Sequence, residues 1–411
     1  MLASTGAGVV NTVGGILRRS GLPLADLDAQ GLIGTADASV RLSDYGDYSP
    51  HQPLEVLVRA LESEASLNML GRLTASREIL RLLRNRLFLQ RDRLIHPEIA
   101  RERVERPLFI LGLPRSGTTL LHALLAQDPG LRYPAHWELM YPSPPPESLR
   151  ATRDPRIDRA GRELRWFYRL APQFRAIHMV GANDPQECVG ITDHTFLSLG
   201  FDTVYNVPSY RDWVDRTGLQ PAYAFHRQML QHLQWRCPPR QWVLKAPDHV
   251  FAMDDLLTTY PDARIVMTHR DPLQVVPSVA SLTVTLQSVF SDAVDAREVA
   301  RTVARRWADG ARLMLERRSA DKTPGRYLDV HYLDLLRHPM HVVRDLYAHL
   351  GMSLPPETTR RMERFLGRNP QGRNGRHHYS LEQFGLDAAE QREKYRDYVD
   401  FFGVAADATT G

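Results

Sequence analysis

A glycine-rich turn between a short apolar run and an apolar helix is the segment of this chain best equipped for chemistry. Leu108-Phe-Ile-Leu111 reads as a buried strand. Leu120, Leu121, Leu124 and Leu125 give the stretch after it an amphipathic helical face. Between them stands Gly112-Leu-Pro-Arg115-Ser116-Gly117-Thr118-Thr119. A strand, a glycine loop and a helix in that order can cradle phosphate, because backbone N–H groups converge at the positive end of the helix. A nucleotide loop of the Lys and Mg²⁺ type runs Gly, four residues, Gly, Lys, then Ser or Thr. Gly112 and Gly117 keep that spacing, but Thr118 stands where the lysine would be, and the cation is Arg115 inside the loop. No strand ends in an acidic residue suited to Mg²⁺. The competing reading of these residues is a plain glycine turn with a Ser/Thr helix cap.

Two more cations sit at strand ends. Arg270 follows Arg264-Ile-Val-Met267, and its planar fork suits phosphate oxygens. Ser278 lies eight residues further on, about two helical turns away. Lys245 closes the apolar run Trp242-Val-Leu244. Only three of the 52 basic residues are lysines, and the other two are Lys322 and Lys394. That bias reads as base composition of the coding DNA, yet it makes a lysine at a strand end conspicuous.

Together these motifs resemble sulfotransferases that use 3′-phosphoadenosine 5′-phosphosulfate (PAPS). Pro-Arg-Ser-Gly-Thr-Thr followed by an apolar helix resembles the family's 5′-phosphosulfate loop in its tyrosylprotein and broad bacterial branches. Arg-Asp-Pro after a strand, with a later Ser, resembles its 3′-phosphate motif. The resemblance runs over roughly 108–398 and is nearest to the bacterial branch, which Trp137-Glu138 and Pro144-Pro145-Pro146 also match. It implies that Arg115, Ser116, Gly117, Thr118, Thr119 and Leu120 hold the 5′-phosphate and sulfuryl oxygens. It implies that Arg270 and Ser278 hold the 3′-phosphate, and that Lys245 faces the sulfuryl group. Val330-His-Tyr332-Leu-Asp334-Leu resembles a late family segment and reads as structural. The family's closing basic loop is matched only in character, by Gly372-Arg-Asn-Gly-Arg376-His-His-Tyr379, in which Arg376 is the expected nucleotide contact.

The implied reaction is transfer of a sulfuryl group from PAPS to an acceptor hydroxyl by in-line displacement. Arg115 and Lys245 would stabilise charge on the transferred group and on the departing phosphate. A base must accept the hydroxyl proton. Cytosolic relatives carry a His directly after the lysine, but here that residue is Ala246. The tyrosylprotein branch uses a Glu some twenty residues after the loop, which makes Glu138 the first choice and His249 the second. His136, Glu187 and His194 follow, each with a capping or packing role as the competing reading. Asp193, His194 and Ser198 lack the elbow a hydrolase serine needs. His377-His378 lack a third ligand at useful spacing, so no metal is expected. Two other classes remain: a P-loop nucleotide kinase or NTPase, and a non-catalytic nucleotide-binding protein.

The elements that must position these residues follow from periodicity. Short apolar runs alternate with helical stretches near 251–259, 273–287, 298–317 and 339–350, the last stopped by Gly351. Tyr327-Leu-Asp-Val330 is a fourth strand candidate. The fold expected is α/β, a P-loop-type parallel sheet flanked by helices, over 107–411. Residues 1–106 read as a helical N-terminal region, with Leu54, Leu57, Val58 and Leu61, then Ile79, Leu80, Leu82, Leu83 and Leu87, at helical spacing. Arg77, Arg81 and Arg84 read as a solvated face. Tyr141–Glu147, rich in proline, reads as an extended loop.

With 411 residues, 43% hydrophobic and 24% charged, the chain has the composition of a globular enzyme. A net charge of +4 over this length does not point to nucleic acid. Two cysteines rule out a disulfide framework. No run reaches the ~18 apolar residues of a membrane span, and the N-terminus lacks a basic region ahead of its apolar stretch. A soluble cytoplasmic protein is expected, with peripheral membrane contact left open and no signal for an oligomeric state. Trp137, Met140, Tyr141, Trp166, Phe167, Phe174, Met179 and Phe196 point to a hydrophobic small-molecule or lipid acceptor, with core packing as the competing reading.

Overall fold

Five short runs, most of them apolar, become the strands of one parallel sheet in the computed structural model of the chain. The structure describes residues 27–147, 154–170, 180–237, 240–369 and 379–407. The strands are β1 (Leu108–Gly112), β2 (Leu131–Arg132), β3 (Gln241–Lys245), β4 (Arg264–His269) and β5 (Tyr327–His331). Their order is β2-β3-β1-β4-β5, with every neighbour parallel. β1 is therefore central and is buried at all five positions. That explains its unbroken apolar run, since a strand covered on both faces needs no polar alternation. The expected α/β parallel sheet is present. β2, two residues long, gives no periodic signal and was not expected.

Alternate strand residues feed the two faces of the sheet. Leu108, Ile110, Val243, Val266 and Val330 enter one core with Leu121, Leu124 and Leu125 of the helix Thr118–Leu125. Val342, Val343 and Leu346 of the helix Pro339–Leu350 complete it. That helix ends at Gly351 in a left-handed turn, as the sequence indicated. On the other side, Phe109 meets Tyr260 at 5.4 Å, and Phe251 meets Trp307 of the helix Ala296–Ala320 at 5.2 Å.

The chain divides into two compact units. One holds Val104–Tyr133, Arg240–Val284 and Asp295–Gly411, and so contains the whole sheet. The other holds Met1–Arg103, Pro134–Pro239 and Thr285–Val294. The expected boundary at 106/107 falls near the first of these edges, but Pro134–Pro239 groups with the N-terminal helices. The helix Pro272–Phe290 has residues in both units. It is long and apolar enough by length and composition to cross a membrane, and half of its apolar window is buried within the structure.

The N-terminal unit is organised by the 27-residue helix Met69–Ile95. Its apolar stripe is buried as expected at Ile79, Leu82, Leu83 and Leu87, but its arginines are not all solvated. Arg81 donates to the carbonyls of Leu139 and Met140, and Asn85 donates to Met140. These carbonyls end the short helix His136–Met140 and have no partner within it. Arg86 is buried, donates to the carbonyls of Tyr45 and Tyr48, and lies 4.9 Å from the Phe225 ring. Burial pushes its guanidinium down to about 10. The proline-rich loop is held through its carbonyls. Arg156 donates to those of Tyr141, Pro142 and Pro144, and His232 to that of Pro142.

Leu124 is fully buried under β1. Leu124→Ala is expected to cost about 2–5 kcal/mol in urea unfolding, the usual range for a core Leu that leaves a cavity. A loss well under 1 kcal/mol would mean that the helix after the loop is not packed as described.

Candidate active site

The loop between β1 and its helix is bent by two glycines that no other residue could replace without strain. Gly112 has φ 149°, and a Cβ there would stand 2.3 Å from the Thr268 carbonyl oxygen of β4. Gly117 has φ 92°, and a Cβ would stand 2.8 Å from Leu335 and 3.2 Å from the Tyr332 ring. Arg115 takes φ 64° without being glycine. That left-handed conformation is uncommon for a long side chain and marks a constrained, functional kind of position.

Ser116 lies at the bottom of the loop and is fully buried. Its Oγ donates to the Leu113 carbonyl at 2.5 Å and pairs with Thr268 Oγ1 at 2.5 Å. The Ser116 hydroxyl is therefore engaged with the loop's own wall. The first intrahelical bond of the next helix runs from Leu121 N–H to the Gly117 carbonyl. The N–H groups of Thr118, Thr119 and Leu120 thus fall in the first turn, where a helix supplies no acceptors. Such a turn is suited to accept an anion. Thr118 is buried, while Thr119 and Arg115 are exposed.

Lys245 ends β3 beside this turn. Its side chain is buried, and Nζ donates to Thr119 Oγ1 at 3.4 Å. A buried ammonium next to a helix N-terminus puts two like-signed features together, an arrangement that favours an anion between them. His122 lies in the same pocket of charge. Burial, and then the Lys245 ammonium, push its imidazole down to about 3. It is neutral at ordinary pH, with Nε2–H donating to the Val243 carbonyl at 3.2 Å.

Arg270 comes to the loop from β4. Nη1 donates to the Arg115 carbonyl at 2.9 Å, Nε donates to Asp407 Oδ2 at 2.8 Å, and the guanidinium lies 4.1 Å from the Tyr332 ring centre. The two expected phosphate motifs are thus joined directly. Ser278 is half-buried on the helix Pro272–Phe290 of the same segment. Tyr332, expected to be structural, underlies both Gly117 and Arg270. Thr268 and Asp407 were not anticipated at all. Thr268 sits in β4, two residues before Arg270. Asp407 has no local signal.

The base candidates fare differently. His249 is buried in the turn Pro247–Phe251, with its ring edge-on to Phe109 at 5.1 Å. That is packing against the second residue of β1, away from the loop end of the strand. Glu138, buried in the other unit, accepts from the Ala135 N–H at 2.9 Å. The helix that carries it is tied at its start by His136 N–H to the Asp184 carbonyl and Trp137 N–H to the Ala182 carbonyl. His194 accepts from the Asn85 amide on Nε2 at 3.2 Å and donates from Nδ1 to the Gly190 carbonyl at 3.0 Å. Burial, then Arg81, push it down to about 3. The same two causes lower His136. Of the aromatic set, Trp137 and Phe196 are core residues, and Trp166 is exposed. Phe174, Met179, Arg376, His377 and His378 lie outside the described residues. Among the described residues, no three His, Cys, Asp or Glu side chains gather as a metal site.

A sequence profile described as the Sulfotransferase family matches residues 107–356. The chain belongs to that family. It is 28% identical to the sulfotransferase STF9 of Mycobacterium avium, covering 93% of this chain and 99% of that one, with a TM-score of 0.85. It is 30% identical to the sulfotransferase STF1 of Mycobacterium tuberculosis, covering 90% and 99%, with a TM-score of 0.80. An omega-hydroxy-beta-dihydromenaquinone-9 sulfotransferase of Mycobacterium tuberculosis is 27% identical over 269 residues, which are 60% of this chain and 63% of that relative. The α/β parallel sheet described above is the fold of its sulfotransferase neighbours.

His122 gives a pH test of this charged pocket. Its folded value lies below the ordinary 6.5, so its contribution to stability is complete above that pH and fades as pH falls toward 3. His122→Gln is therefore expected to gain on the parent as pH drops from 8 to 5, read as urea midpoints. A constant difference between the two proteins at both pH values would contradict a depressed imidazole.

Proposed function

We propose that this sulfotransferase carries a sulfuryl group from PAPS to the hydroxyl of a hydrophobic small molecule or lipid. One observation carries the reading: Arg270 is bonded to the carbonyl of Arg115, so one cationic element serves both ends of a nucleotide phosphorylated at 3′ and 5′. The residues fit such a donor. The loop N–H groups from Ser116 to Leu120, with Arg115 and Thr119, would take the 5′-phosphosulfate. Arg270 and Ser278 would take the 3′-phosphate, and Arg376 is kept as a further nucleotide contact. PAPS supplies the activated sulfuryl group and its phosphate leaving group, so the reaction calls on no metal.

The chain's own part is positioning and charge. Lys245 and Arg115 offset the charge that grows on the 5′-phosphate as its bond to sulfur breaks. Glu138 takes the proton of the acceptor hydroxyl as the new oxygen–sulfur bond forms. With His249 packed on Phe109 and His194 held neutral, a carboxylate is the better base, and His249 is the alternative. The hydrophobic acceptor rests on the relative whose name gives an omega-hydroxylated dihydromenaquinone as its substrate. It does not rest on Trp137 or Phe196, which are core residues. A kinase or NTPase is disfavoured by family membership and by buried Thr118 in the lysine position.

Incubation with ³⁵S-labelled PAPS and a lipid extract, followed by identification of the labelled product, tests the assignment. Labelled lipid with release of adenosine 3′,5′-bisphosphate is the expected result, and label only in polar metabolites would overturn the acceptor class. Arg115→Gln is expected to lower kcat about 10²–10³-fold, the size of one preorganised charge contact. Unchanged turnover would remove Arg115 from the mechanism. Glu138→Gln is expected to lower kcat by about 10²–10⁴-fold while affinity for adenosine 3′,5′-bisphosphate stays as it was. A similar loss in His249→Gln with Glu138→Gln active would reverse the choice of base.

A further inference from the structure

We propose that Asp407 is a positioning residue for the 3′-phosphate, acting by holding Arg270. The inference rests on the PAPS reading above. Arg270 is held at three places: Nε by Asp407 Oδ2 at 2.8 Å, Nη1 by the Arg115 carbonyl at 2.9 Å, and its flat face by Tyr332 at 4.1 Å. A guanidinium has five N–H donors. These contacts use two of them and leave the Nη2 pair and one on Nη1. That is the edge which can bind two phosphate oxygens side by side. A long side chain fixed at its Nε and on its face presents that edge in one orientation, where a free arginine would sample many.

The chain is returned to Arg270 by a set of contacts on three consecutive residues. His269 takes the Tyr398 hydroxyl on Nδ1 at 3.0 Å and stacks on the Phe402 ring at 4.1 Å. Both partners belong to the helix Arg396–Phe402, which Gly403 ends at φ 61°. Asp407 then bonds Arg270 through its side chain, and its N–H donates to Asp271 Oδ2 at 3.3 Å. His269 is itself fixed from the other side by Asp329 Oδ1 at 3.0 Å. The last residue of β4 thus anchors the helix, and the next residue receives the carboxylate. Asp407 is not closed as a simple latch would be. Its Oδ1 is buried and has no partner among the described residues. A buried carboxylate oxygen left without a donor is costly.

The test compares adenosine 3′,5′-bisphosphate with adenosine 5′-monophosphate, which lacks the 3′-phosphate, by isothermal titration calorimetry. Asp407→Ala is expected to weaken the bisphosphate at least about tenfold, the scale of one hydrogen bond to a charged group. Its affinity for the monophosphate should be unchanged. Asp407→Asn keeps an acceptor oxygen and should recover most of the loss. In turnover, KM for the donor should rise with kcat held. Equal losses for both nucleotides would mean a structural role and overturn the proposal. Unchanged or tighter bisphosphate binding would overturn it as well, the tighter case making Asp407 a competitor for the arginine. If the parent protein bound no bisphosphate, the PAPS reading itself would fall, and this inference with it.

Discussion

The site depends on a double tie between the glycine loop and the end of β4. Ser116 meets Thr268 hydroxyl to hydroxyl, and Arg270 reaches the Arg115 carbonyl. Thr268 lies in β4, and Arg270 is the first residue past its end. The loop must lie close against that end for both bonds to form. That requirement explains Gly112, whose missing side chain lets β1 pass within contact of the Thr268 carbonyl. It explains the left-handed Arg115 too, since turning that residue over directs its carbonyl to the guanidinium. The strain is of order 1–3 kcal/mol, comparable to one hydrogen bond made to a charged group. A loop held this way is formed before a ligand arrives, and preorganisation of this sort is where catalytic electrostatics gain their strength.

Charge placement follows from the same tie. Arg115, Lys245 and Arg270 meet at one end of the sheet although the chain as a whole carries only +4. The nearby groups that could dilute this field are kept neutral or are themselves paired. His122 cannot protonate beside Lys245 until the solution is strongly acidic. Asp407 is spent on the Nε of Arg270. The net charge of the protein therefore says little about its ligand, and the informative cations are Lys245 and Arg270 at strand ends and Arg115 in the loop.

Much of this was legible in the residues, for reasons that differ by element. The strands β1, β3, β4 and β5 were each found to within two residues at either end, because a buried parallel strand is a bounded apolar run. β2 was not, since two residues carry no period. The helix ending at Gly351 was exact at both ends, with proline opening it and glycine closing it. The loop and Arg270 were found because phosphate chemistry demands particular residues at particular spacing. Their contact with each other was not, because it joins residues 155 positions apart through a carbonyl that any residue could supply. Arg81 was misread as solvated for the same kind of reason. What it does is cap carbonyls 58 and 59 residues away, and no pattern within its own helix reports that.

The choice of base turns on what burial does to each candidate. A histidine placed among apolar residues loses its basicity, and here desolvation takes His194 to about 3. Such a group has little affinity for a proton leaving a hydroxyl. Glu138 is buried, and one of its oxygens accepts the Ala135 N–H. The hydrogen bond also fixes the carboxylate within a helix whose ends are both tied, at Asp184 and Ala182 on one side and at Arg81 and Asn85 on the other. A base gains most when it is already aimed as the oxygen–sulfur bond begins to form, and that is what such ties would give in the role proposed for Glu138. Ala246 stands where cytosolic relatives place their histidine, so the proposed base has to come from elsewhere in the chain.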